Sequence, residues 1–235
     1  MQDFEHRLID ALGSTRGLEA ADRLCEACVD LLDVDAAAIS IIFDGTNVGT
    51  FGSSGPHARK YDELQFIVGE GPCLDSVANR APVMVADLTD PGERRWPGYG
   101  PVMIAYRIRG VYAIPVVIAG EYVGAFDFFR TDSDGLSPEQ ITGMMIAAEL
   151  AQLPLLDMLD RDLHAVADPD SNAWAQLNAF SRTEVSQATG MLMAWLDVEA
   201  ATALARLRAH AYATGRSASA VAQDILDRRL HLAAD

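Results

Sequence analysis

The stretch VYAIPVVIAGEYVGAFDFFR, residues 111–130, decides the fold of the N-terminal part of this chain. Ala119-Gly120-Glu121 separates two runs rich in β-branched and aromatic residues, so the stretch reads as two strands joined by a tight turn. Working outward, AAAISIIFDG (36–45) is a buried-strand run ending in the turn pair Asp44-Gly45. NVGTFGSSG (47–55) answers it, which predicts a second hairpin. MVADL (84–88) reads as one more short strand. Helical spacing flanks the sheet on both sides. Residues 3–33 read as a helix with a polar break at Gly13–Gly17, its face carried by Phe4, Leu8, Leu12, Leu24 and Cys28. Ser137-Pro138-Glu139 opens another, with Ser137 as N-cap and proline in the first helical position. There Ile141, Met145, Ala148, Leu155 and Leu159 mark one face through Leu163, with a kink expected near Pro154.

DPDSN (168–172) breaks the chain. Beyond it the spacing predicts three helices over about 173–196, 199–213 and 218–232. Asp197 is placed to cap the second, Gly215 to end it and Ser217 to cap the third. The expected fold class is α+β, organised as residues 1–165 with an antiparallel sheet flanked by helices, 166–177 as linker and start of a connecting helix, and 178–235 as an all-α three-helix module.

The 235 residues are enough for two domains, and 50% of them are hydrophobic. No unbroken run of about 18 apolar residues occurs, so no membrane span is expected. MQDFEHRLID has no basic region leading into an apolar one, so no signal peptide is read. Three cysteines argue against a disulfide framework and fit a reducing cytoplasm. The net charge of −16 is unevenly held. Residues 178–235 carry six arginines against six acidic residues, so the whole excess lies in residues 1–177. An acidic body repels phosphate backbones and anionic membranes, and the C-terminal segment escapes that field.

Helix, hairpin, GEGPCLDSVANRAPVMVADL (69–88), the paired strands of 111–130 and a closing helix together resemble a GAF domain over roughly residues 15–165. Gly69-Glu70-Gly71-Pro72-Cys73, then a short helix from Pro72 and Pro82-Val83-Met84-Val85-Ala86-Asp87, is the most specific part. The resemblance implies a sensory module that binds a small molecule between one sheet face and its covering loops; the ligand's identity does not follow from the fold. Phe51, Phe66, Cys73, Tyr99, Met103, Tyr106, Phe126 and Phe128 are the candidate pocket residues. Cys73 follows a proline at a helix start, a placement that lowers a thiol pKa; it is read first as a structural buried thiol, with a redox role as the alternative. Cys25 and Cys28 form C-x-x-C within a helix, without a second pair at zinc-finger spacing, and the five histidines are scattered, so no metal site is expected. Some GAF-fold proteins with three cysteines reduce free methionine sulfoxide. Here two of the three fall on the leading helix, and no G-x-S-x-G or Walker sequence occurs, so no enzymatic activity is expected.

Residues 182–232 resemble an ANTAR domain, through Val185, Gln187-Ala188-x-Gly190, Leu192-Met193, Ala203, Leu207-Arg208, Ala211, Arg216, Val221-Ala222 and Ile225. The resemblance implies binding of paired RNA stem-loops by a dimer, with control of transcription termination. Arg182, Thr189, Arg208, Arg216, Arg228 and Arg229 are the candidate RNA contacts, since arginine pairs with phosphate and stacks on unpaired bases. Thr189 stands where the family commonly has lysine. In VSQATGMLMAWLDV (185–198), Val185, Ala188, Leu192 and Trp195 share one face, yet Gly190 costs a helix interior about 1 kcal/mol. The expectation is that Gly190 and Ala188 admit a neighbouring helix closely, so that Gly190→Leu overpacks the module.

The whole chain is therefore expected to be a cytoplasmic, ligand-responsive RNA-binding regulator, a parallel homodimer through the helix of 137–163, whose spacing Trp174 and Leu177 extend. The alternative is a sensory or protein-interaction module whose ANTAR fold no longer binds RNA. A helix-turn-helix reading onto DNA is weaker, because the third helix offers Ser219 and Gln223 but also Asp224 and Asp227.

Overall fold

The computed structural model describes residues 2–43, 45–165 and 182–232. The expected boundary at 168–172, the linker 166–177, and Trp174 and Leu177 lie outside the described residues, as do the side chains of Leu159 and Leu163. A five-stranded antiparallel sheet, in the order β2-β1-β5-β4-β3, organises the N-terminal domain. Its strands are β1 (Ala36–Phe43), β2 (Thr46–Ser53), β3 (Val83–Val85), β4 (Gly110–Ile118) and β5 (Glu121–Arg130). Helices α1 (Gln2–Leu12), α2 (Gly17–Leu32), α6 (Pro138–Leu150) and α7 (Gln152–Ala165) belong to one face; α3 (Pro56–Val68), α4 (Pro72–Asn79) and α5 (Gly100–Ala105) belong to the other. The α+β class and the strand pairs are as the sequence predicts.

Strand alternation sorts the core into two layers. Ala37 and Ile39 on β1, Tyr112, Ile114 and Val116 on β4, and Phe126 and Phe128 on β5 pack under α2 and α6. Ala36, Ala38, Val111, Ala113, Ala125 and Phe129 point to the opposite layer. Ser40 and Asp127 fall on this second side by the same period of two, and both are fully buried.

Several local readings shift. The expected helix 3–33 is two helices, split at Gly13–Arg16. Helix α3 has no counterpart in the sequence reading. It buries Tyr61 and Leu64 toward the sheet, Asp62 and Gln65 among polar groups and Phe66 toward the C-terminal module, so no single apolar stripe announces it. Ser137 caps α6 through a capping box with Gln140. The chain breaks between α6 and α7 at Ala151, just ahead of Pro154, whose ring conflicts with the carbonyl four residues earlier. The buried face of these helices runs through Met144, Ala147, Ala148, Ala151 and Leu155, leaving Ile141 and Met145 exposed, contrary to expectation. Pro138–Met158 is long and apolar enough, by length and composition, to cross a membrane, although no unbroken apolar run marks it.

The C-terminal module comprises α8 (Thr183–Leu196), α9 (Ala200–Thr214) and α10 (Ala218–Leu226). Val185, Ala188, Leu192, Ala203, Leu207, Ala211, Val221, Ala222 and Ile225 form its core, which Phe66 of α3 joins. Gly215 ends α9 in the left-handed region and Ser217 caps α10, as expected. Asp197 instead ends α8, while Glu199 stands at the start of α9. Trp195 is 38% exposed and lies 4.8 Å from the His231 ring rather than in the core.

Gly190 is a correction of sign. It is exposed, and a Cβ built there meets nothing within 4 Å, so no neighbouring helix requires the glycine. Gly190→Ala is expected to stabilise the protein by about 0.5–1 kcal/mol, through lower unfolded-state entropy and better helix propensity. A raised urea midpoint with unchanged slope is the expected result.

Candidate functional site

The motif Gly69-Glu70-Gly71-Pro72-Cys73 builds one wall of a buried polar cluster. Gly69 ends α3 in the left-handed region, with φ 72°. Gly71 holds φ 145°, and a Cβ on it would come within 2.5 Å of Gln65 Oε1. With glycine there, Gln65 accepts the Cys73 backbone N–H at 2.8 Å and fixes the start of α4. The Glu70 carboxylate accepts from the backbone of Gly98 and Tyr99, at 2.5 and 3.0 Å, which brings Tyr99 over the same region.

Inside, α3 supplies Asp62, α4 supplies Cys73 and β5 supplies Asp127; all three are 0% exposed. Their ligand-type atoms lie within 4.8 Å of one another. Asp62 accepts from Ser40, Thr50 and Asn47, the last at 2.7 Å. Ser40 Oγ also contacts Asp127 Oδ2 at 2.7 Å, and Gln65 Nε2 donates to that oxygen at 3.3 Å. One hydroxyl has one proton, so Ser40 cannot serve both carboxyls as donor. Burial, then the neighbouring Asp62, pushes Asp127 well above the usual carboxylate range, which favours Asp127 as the holder of the second proton this contact needs. Asp127 Oδ1 and the Tyr99 hydroxyl are buried without a hydrogen-bond partner among the described residues.

The candidate pocket residues divide among four places. Cys73, Tyr99 and Met103 lie in the layer holding this cluster. Phe51, Phe126 and Phe128 sit in the opposite layer, the last two stacked at 4.6 Å, because odd and even positions of β5 face opposite sides. Tyr106 lines a cleft of about 560 Å³ between α3 and the C-terminal module, with Lys60 Nζ 4.3 Å from its ring. Phe66 belongs to the interdomain contact described below. Cys73 is the buried structural thiol rather than the reactive one. Burial first, and then Asp127 and Asp62, raise its thiol well above the ordinary value, outweighing its place at a helix start. Cys25 and Cys28 are buried under the far face, their thiols raised by desolvation.

The candidate RNA contacts divide as well. Arg182 is buried; its Nη1 donates to Asn47 Oδ1 at 3.0 Å and to the Asn47 carbonyl at 3.2 Å. Its guanidinium lies 4.4 Å from the Phe66 ring centre, and that of Arg208 lies 4.2 Å from it. Burial, then the neighbouring Arg182, pushes Arg208 down to about 10. The Thr189 hydroxyl donates to the Val185 carbonyl at 2.7 Å, and the residue lines a groove facing Thr46 and Val48 of β2. Arg216 pairs with Asp224 at 2.6 Å, and Arg229 pairs with Asp224 and Asp227. Arg228 is exposed just beyond α10. The structure therefore gathers Arg182 and Arg208 against the N-terminal domain and does not present all six groups on one open face. Glu63 of α3 strengthens the contact, accepting the Ala218 N–H at the start of α10 at 2.9 Å.

Asn47 joins the two features. Its Nδ2 donates to Asp62 while its Oδ1 accepts from Arg182, so the buried cluster is linked in two hydrogen bonds to the first turn of the C-terminal module. Neither Asp62, Asn47 nor Phe66 in these roles carries a recognisable local motif; the single acidic residue Asp127 inside the apolar run AFDFF was the available signal.

The GAF domain family model matches residues 18–153, more than half of the chain, and the ANTAR domain model matches residues 176–226. No curated protein matches. Among solved structures, the chain is similar to the GAF domain of a phosphoenolpyruvate-protein phosphotransferase from Coxiella burnetii, at 19% identity and TM-score 0.49, covering 71% of this chain and 94% of that one. It is also similar to the reduced form of fRMsr of Staphylococcus aureus, at 11% identity and TM-score 0.48, covering 64% and 91%.

Proposed function

Because this chain belongs to the GAF domain family and continues into an ANTAR domain, we propose that it is a signal-responsive regulator that binds stem-loop RNA and is held closed by its own sensory domain. A GAF sensory domain followed by an ANTAR RNA-binding antiterminator domain is the architecture of a signal-responsive regulator. The observation that carries the closed state is Phe66, a residue of the sensory domain over whose ring two guanidiniums from the RNA-binding module lie. Those cations attract phosphate only when they leave it. A signal in the buried cluster reaches Arg182 through Asn47, and loss of that contact releases the module. The regulator acts on transcripts in the cytoplasm and controls their termination. It works as a homodimer, with Ile141, Met145, Leu153 and Leu156, exposed along α6 and α7, as the apolar stripe on which two copies pair.

The test titrates the full-length protein and its Phe66→Ala variant with a tandem stem-loop RNA and with unstructured RNA of equal length, over a salt series. Preferential binding of the stem-loop RNA by the released variant, with a dimer in sedimentation, is expected. Equal affinity for both RNAs in both proteins overturns the reading and leaves the C-terminal module a protein-interaction unit.

A further inference from the structure

We propose that Asp62, Cys73 and Asp127 form a binding site for a divalent transition-metal ion of the zinc or ferrous class. Three residues from α3, α4 and β5 place two carboxyl groups and one sulfur within 4.8 Å of one another, near enough that a small closure brings all three to one ion. None of the three is solvent-exposed, so an ion held there is shielded from water. Independently, the Tyr99 hydroxyl is fully buried, has no hydrogen-bond partner among the described residues, and lies close enough to all three groups to feel their charge. The free Asp127 Oδ1 offers a ligand atom that no protein donor occupies. Among the described residues no cation contacts these two neighbouring buried carboxyl groups, and a bound dication can stand in place of the proton between them.

Sulfur decides the class of ion. A thiolate beside carboxylates favours zinc, ferrous iron or cobalt over magnesium and calcium, which take oxygen ligands. On binding, the Cys73 thiol and the Asp127 carboxyl each release a proton to solvent, so a dication replaces two protons and the site's charge is unchanged. Asp62 is also the anchor of Asn47, so an ion that draws on Asp62 competes with the contact holding Arg182. As an effector site this rests on the regulator reading above; the binding itself does not.

Cobalt(II) titrated into chelator-treated full-length protein is the probe. One ion per chain is expected, with a thiolate-to-cobalt charge-transfer band that zinc(II) abolishes and magnesium leaves intact. Cys73→Ser is expected to lose the band, while the Cys25→Ala/Cys28→Ala double variant keeps it. Asp127→Asn is expected to weaken binding more than about tenfold, the scale of loss seen even for residues that only support a ligand. Because that change removes a buried acid, its thermal midpoint is expected to stay or rise, which separates loss of the site from loss of the fold. Absence of stoichiometric cobalt binding in the unaltered protein, or a band that persists in Cys73→Ser, overturns the proposal. RNA is absent from this titration, so its outcome is independent of the regulator reading.

Discussion

Phe66→Ala is expected to tighten stem-loop RNA binding by about tenfold or more, even though Phe66 belongs to the sensory domain. Phe66 is 5% exposed and shares a core with Val185, Leu207 and Ala211 of the ANTAR module. Removing a buried phenyl group costs about 3–5 kcal/mol. A cation over an aromatic ring contributes about 0.5–2 kcal/mol, and here there are two such contacts. Much of this loss falls on the docked arrangement alone, and about 1.4 kcal/mol of differential destabilisation already raises the open population tenfold. Two freed guanidiniums also add phosphate contacts. The slope of log affinity against log salt is expected to steepen by about 1.5, at roughly 0.7–0.9 for each contact. Fluorescence anisotropy over a salt series reads both quantities. Unchanged or weaker binding with an unchanged slope defeats the closed-state account. Phe66 was read from the sequence as a ligand-pocket residue, a role in which its loss would not touch RNA at all.

Gly124→Ala is expected to cost more than about 4 kcal/mol, enough to consume much of a domain's stability. A Cβ built at Gly124 on β5 comes within 2.1 Å of the Ser40 carbonyl oxygen on β1. That oxygen is main chain in the middle of the sheet, so it cannot swing aside as a side-chain tip can. Relief requires β1 and β5 to separate where they pair. Ser40 also carries the hydroxyl between Asp62 and Asp127, so any partial accommodation displaces the buried cluster. Urea denaturation followed by circular dichroism measures the loss. A variant within about 1 kcal/mol of the parent would mean that the strands tolerate a wider spacing than van der Waals radii imply.

The readable features were those whose cause lies within a few residues. Asp44-Gly45 and Ala119-Gly120 announce their hairpins, Ser137-Pro138 announces its capped helix, and Gly215 and Ser217 bracket the α9–α10 turn. Period-two alternation in AFDFF already separates Phe126 and Phe128 from Asp127, although apolar character alone had grouped both phenylalanines with Tyr99 as pocket lining. Gly190 misled for the opposite reason: its spacing is that of a packed face, yet its direction is toward solvent. Helix α3 escaped notice because it faces three environments and so lacks the single stripe by which an amphipathic helix is recognised.

By itself, then, the amino-acid sequence determines two domains, their strand pairs and caps, the acidic body with a neutral C-terminal segment, and the GAF and ANTAR patterns. Only the tertiary structure decides what the polar groups do. Asp127 lies far along the chain from Asp62 and Cys73, and the three become neighbours because α3, α4 and β5 converge on one sheet face. Arg182 and Arg208, alike in sequence to any solvent-facing arginine, are drawn out of water by a phenylalanine on another domain. Local propensity acts over a few residues, whereas the environment of a charge depends on which distant elements the fold sets against it.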